Sequence, residues 1–177
     1  MKNSKFGFTL IELLIVIALL GALAVGLLAA LDPFEQLKKG TDTGVRNTTQ
    51  EIQGAAIRYF AIKGYMPWCP DANDCGGPTS GDLDNATVSL AIDNMVAAGE
   101  LKSNFMDLAD AYKKRIFVTG LSSPDSPSMK VCFLPQARSF KADPNTKYTV
   151  TGVEVGDPTQ CVAHTADGKV VCYWCIM

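Results

Sequence analysis

Histidine is nearly missing from this sequence: His164 is the only one in 177 residues. A lone histidine among scattered serines offers no trio of nucleophile, base and orienting group. The chain is therefore expected not to be an enzyme, and no catalytic residue is named. A phosphate-cradling glycine loop is missing as well, since Gly76-Gly77 belongs to a proline-flanked turn. So is any excess of positive charge. The formal net charge is −2 and the pI about 5.3, which excludes a general electrostatic attraction to nucleic acid. The basic triplet Lys113-Lys114-Arg115 reads as the solvated end of a helix. No internal repeat and no low-complexity tract interrupts the chain, and no cofactor is expected.

What the sequence does have is a long apolar run. From Phe8 to Leu31 every residue is apolar except Thr9, Glu12, Gly21 and Gly26, and Glu12 carries the only charge. Without that run the remainder is roughly 40 % apolar, ordinary for a soluble domain. The run exceeds the roughly 20 residues needed to cross a bilayer. Lys2 and Lys5 precede it, whereas Asp32 and Glu35 follow it before Lys38 and Lys39. That lysine bias puts the N-terminus in the cytoplasm and the body outside. The six cysteines fit an oxidising exterior.

A plain single-pass anchor accounts for length and orientation but not for Glu12, since a carboxylate at a helix centre costs about 2.5–3.5 kcal/mol in a bilayer. A secretory signal, with Ala22-Leu23-Ala24 as a small-x-small cleavage site, leaves Glu12 equally unexplained. The stretch "KFGFTLIELLIVIALLGALAVGLL" resembles the class III signal of type IV pilins and of type II secretion pseudopilins. The matching features are a short basic leader, a glycine before the cut, a phenylalanine after it, and a glutamate four residues further on. The resemblance implies that a prepilin peptidase cuts between Gly7 and Phe8 and N-methylates Phe8. It also implies that Glu12 meets the terminal ammonium of a neighbouring subunit or of its own chain. A buried carboxylate is costly alone and much less so when paired, so Glu12 would set the register of assembly. The family often places a proline inside the apolar half; here that half holds Gly21 and Gly26, and Pro33 follows it.

Beyond the run, Val45, Ile52, Ala56 and Tyr59/Phe60 recur at helical spacing. The expected helix runs from Phe8 to about Lys63, kinked at Asp32-Pro33 and ended by Gly64 and Pro67. Tyr65 to Asp82 reads as a loop. A helix containing Leu90, Met95 and Val96 closes near Ala98, and a shorter one lies at Phe105–Ala111. Then "RIFVTG", "MKVCFLP", "KYTVTGVEV" and "QCVAHTADGKVVCYWCIM" read as strands, with "ADGK" a hairpin turn. The expected fold is α+β: one long helix, apolar and membrane-spanning in its first half, on a small antiparallel sheet of about four strands stapled by disulfides. The expected divisions are a leader at 1–7, a membrane or filament-core helix at 8–31, its amphipathic continuation at 32–64, and a globular head at 65–177.

Cys69 and Cys75 bracket five loop residues, which suits a local disulfide. Cys161-x-x-His164 followed by Cys172-x-x-Cys175 resembles a zinc-ligand spacing, but an oxidising compartment and a solitary histidine favour staples. A two-residue turn at Asp167-Gly168 would place Cys161 and Cys172 on one face of a hairpin and Cys175 on the other. The pairing expected is Cys69–Cys75, Cys161–Cys172 and Cys132–Cys175; a bulge in that hairpin would exchange the last two. Asp71, Asn73, Asp74, Asp82, Asp84 and Asn85 are oxygen-rich, but their spacing matches no calcium loop and no metal is expected. Tyr65, Trp68, Tyr173 and Trp174 read as core rather than as an adhesive patch.

The function these readings imply is structural: a subunit stored in the inner membrane with its C-terminal domain outside, then polymerised into an extracellular type IV pilus for adhesion, twitching motility or DNA uptake. Its expected partners are copies of itself or other pilins, the prepilin peptidase, and an assembly platform with its cytoplasmic ATPase. A type II secretion pseudopilin and a non-polymerising anchored binding domain are the alternatives.

Overall fold

The computed structural model describes residues 7–30, 32–72, 75, 79–121, 128–156, 161 and 172–177. The chain divides into an N-terminal unit ending at Leu37 and a body from Lys38 to Met177.

The N-terminal unit is dominated by α1, Leu10–Ala30. From Leu10 to Leu28 the helix is long and apolar enough to cross a membrane, and none of that stretch is buried. Beyond it, α2 spans Pro33–Lys63. The two do not form the single kinked helix expected from the sequence. Asp32 lies outside both, and its Oδ1 accepts from the Glu35 amide at 3.2 Å. Pro33, which has no amide hydrogen to donate, then takes the first helical position. Aspartate and proline together stop one helix and start another.

Within the body, α2 buries Asp42, Val45, Thr49, Ile52, Gln53, Ala55, Ala56 and Tyr59. These positions recur every three or four residues, which puts them on one face. Gly64, at φ 79°, supplies the left-handed conformation that ends the helix, and its amide donates to the Phe60 carbonyl at 2.8 Å.

The buried face of α2 shares one core with an antiparallel sheet of five strands: β1 Thr79–Asp82, β2 Ile116–Leu121, β3 Ser128–Phe133, β4 Thr146–Tyr148 and β5 Tyr173–Ile176. Their order across the sheet is β1-β2-β3-β5-β4. Alternation in β2 and β3 sends Ile116, Val118, Met129, Val131 and Phe133 into this core, where Trp174 of β5 joins them. Full burial of side chains such as Ile52 and Phe133 contributes about 1.5–3 kcal/mol each. Phe117, Cys132, Tyr148, Tyr173 and Cys175 form a second, smaller cluster.

β1 occupies the end of the stretch expected to be a loop. Thr-Ser-Gly-Asp carries no apolar alternation; the strand is held by its pairing with β2 and by the Thr79 hydroxyl donating to that of Thr87 at 2.8 Å. Only the start of "KYTVTGVEV" is a strand. Gly152, at φ 73°, turns the chain back, and Glu154 bridges to Tyr148.

Between β1 and β2 lie α3, Ala86–Ala97, the short α4, Phe105–Leu108, and a 3-10 turn, Asp110–Arg115. Val88, Ala91, Ile92 and Met95 form the buried face of α3, whereas Leu90 is exposed. The expected hairpin turn at Ala166–Lys169 and His164 lie outside the described residues.

Candidate functional site

Gly7, Phe8 and Thr9 precede α1, and Phe8 is 83 % exposed. The helix begins with Thr9-Leu10-Ile11-Glu12, whose ends are reciprocally bonded. The Thr9 amide donates to Glu12 Oε2 at 2.9 Å and the Thr9 hydroxyl donates to the same oxygen at 2.7 Å. In return, the Glu12 amide donates to Thr9 Oγ1 at 3.3 Å. This is a capping box, in which threonine and glutamate satisfy amide donors that a helix start leaves free. Glu12, treated above as a charge awaiting a neighbour, thus has a partner three residues away. The T-x-x-E spacing was the available signal and went unread.

The cysteines are joined as Cys69–Cys75, Cys132–Cys175 and Cys161–Cys172. Cys132 and Cys175 stand directly opposite each other in β3 and β5, so this bond ties the C-terminal strand to its neighbour. Cys161, Cys172 and Cys175, the three thiols of the zinc-like spacing, are all consumed in disulfides. Among the described residues no three His, Cys, Asp or Glu side chains converge as a metal site. Of the oxygen-rich set, Asn73 and Asp74 lie outside the described residues. Of the four aromatics, Tyr173 and Trp174 are buried, and Tyr65 and Trp68 pack partly buried against the main core.

The basic triplet is not simply a solvated end. Lys114 is exposed, and the partly buried Lys113 pairs with the exposed Asp110 at 2.9 Å. That hydrogen bond holds the Asp110 carboxyl below, and the Lys113 ammonium above, their ordinary pKa ranges. Arg115 turns inward instead and forms an ion pair with the buried Asp42 of α2. The second carboxylate oxygen of Asp42 accepts from the Gln136 and Ala137 amides, each at 2.7 Å. Arg115 also donates to the Leu134 carbonyl at 3.0 Å. One helical turn past Asp42, the Arg46 guanidinium lies 4.9 Å from the Trp174 ring centroid, a cation–π contact. Near the other end of α2, Arg58 pairs with Glu100 at 2.7 Å. Sequence reasoning missed this set of fasteners.

Residues 2–28 match the family model of the prokaryotic N-terminal methylation motif. The chain carries a class III prepilin signal. Searches among curated proteins and among solved structures each found no match. The prepilin signal is consistent with type IV pilins and pseudopilins, and it supports a pilin-type or pseudopilin-type function. It implies processing by a prepilin peptidase and assembly into pilus-like polymers. It also suits a membrane-anchored subunit, and α1 has the length and composition for the anchor.

Proposed function

We propose that this protein is a structural subunit of a type IV pilus. On this reading residues 1–7 are a leader removed between Gly7 and Phe8, and Phe8 is N-methylated. Residues 8–31 are held in the membrane and later in the filament core, 32–64 carry the amphipathic continuation, and 65–177 form the exported head. Glu12 sets the register of assembly by meeting a Phe8 ammonium. The observation that carries this reading is an apolar helix exposed on every side with one carboxylate at its start. Such a surface needs lipid or other helices around it, and stacked copies of α1 provide the second.

Sequencing the mature N-terminus and recovering surface fibres by shearing test it together. N-methyl-Phe8 and fibres containing the chain are the expected results. An intact Met1 with no fibres overturns the reading in favour of a plain anchored domain. Loss of exported enzymes on deletion, with no fibres, would assign the chain to a type II secretion pseudopilus instead.

A further inference from the structure

The acceptor of the Thr9 capping interaction is the one carboxylate of α1. Both Thr9 donors converge on Glu12 Oε2, and among the described residues Oε1 receives no hydrogen bond. A carboxylate has about four lone-pair sites, so the box ties down one oxygen and leaves the other with accepting capacity. Thr9 follows Phe8, so its amide and hydroxyl remain in place when the chain is cut after Gly7. The geometry points to Thr9 as a positioning residue for assembly. It holds the Glu12 carboxylate in one arrangement through Oε2, so that Oε1 stands ready for the terminal ammonium of a second copy of this chain.

This inference rests on the filament reading. Its physical basis is pre-organisation: a flexible glutamate loses rotamer freedom on pairing unless that freedom has already been removed. Without the hydroxyl, the carboxylate keeps only the Thr9 amide and can swing to other donors. Loss of one hydrogen bond to a charged group corresponds to roughly tenfold in an equilibrium constant.

The experiment co-expresses tagged variants with the untagged wild-type chain and measures each variant's share of sheared fibres relative to its membrane pool. Mass spectrometry of the N-terminus follows cleavage and methylation. Thr9→Val should be cut and methylated normally yet enter fibres about tenfold less, and Thr9→Ser should restore entry. Thr9→Asp separates positioning from helix capping. It caps at least as well as threonine but puts a second negative charge beside Glu12, so it should fail like Thr9→Val. Wild-type entry by Thr9→Val or by Thr9→Asp overturns the positioning role and leaves the filament reading standing. A wild-type chain that never reaches the sheared fraction overturns both.

Discussion

Asp42, buried, and Arg115, partly buried, stand 73 residues apart in sequence and form an ion pair that joins α2 to the entrance of β2. The carboxylate is completely buried, and its other oxygen is held by two backbone amides. Removing one member of such a pair leaves a charge stranded in the interior, which costs about 3–5 kcal/mol. Asp42→Ala is therefore expected to lose about that much stability in chemical denaturation of the full chain in mild detergent. Lys113→Ala, which removes the partner of the exposed Asp110 carboxylate, should change stability far less.

The three disulfides should contribute unequally. Cys132–Cys175 closes a separation of 43 residues and Cys69–Cys75 a separation of 6. Loop-closure entropy alone makes the longer bond worth about 1.5 kcal/mol more. Cys132→Ala/Cys175→Ala should accordingly lower the denaturation midpoint more than Cys69→Ala/Cys75→Ala. Equal losses would place the stabilisation elsewhere than in chain entropy.

Alkaline pH should loosen the body through Tyr173. Burial pushes its phenol up to about 12 from an ordinary 10.0. A group whose folded pKa is raised stabilises the fold fully below its unfolded pKa and loses that contribution as pH rises through the folded one. Stability should thus fall between about pH 10 and pH 12. Ultraviolet titration should show one of the five tyrosines ionising last, and Tyr173→Phe should remove that late step and flatten the decline.

Gly120 lies under the Trp68 ring. A Cβ there would stand 2.5 Å from the indole Cζ2, closer than atoms can pack. Gly120→Ala should displace the ring and cost about 1–3 kcal/mol. A red shift of tryptophan emission would report the displacement; unchanged emission and stability would count against the contact.

Residues near one another in sequence were the easiest to read. Gly7, Phe8 and Glu12 form a short linear pattern, and Val45, Ile52 and Ala56 reveal the buried face of α2 through the helical period alone. Asp42 shares that face, but a carboxylate there makes sense only once Arg115, Gln136 and Ala137 are beside it. β1 was illegible because Thr79-Ser80-Gly81-Asp82 has no alternation and owes its form to β2. The segment after β4 was over-read because an alternating pattern continues through Gly152, where the backbone turns. The helix holding Leu90, Met95 and Val96 was legible from its apolar content and Gly99, but which of these residues face inward was not: Met95 is buried and Leu90 exposed.

The place of β5 in the sheet has a consequence for folding. Among the described strands it comes last in chain order, yet it lies between β3 and β4, and it is the strand that β4 pairs with. Until residues 173–176 dock, β3 lacks its β5 neighbour, and β4 keeps only the turn through Gly152 that brings Glu154 back to Tyr148. Unpaired edges of this kind invite pairing with other chains. β5 therefore closes the sheet between β3 and β4, and the Cys132–Cys175 bond, set directly across the pairing, bolts it to β3.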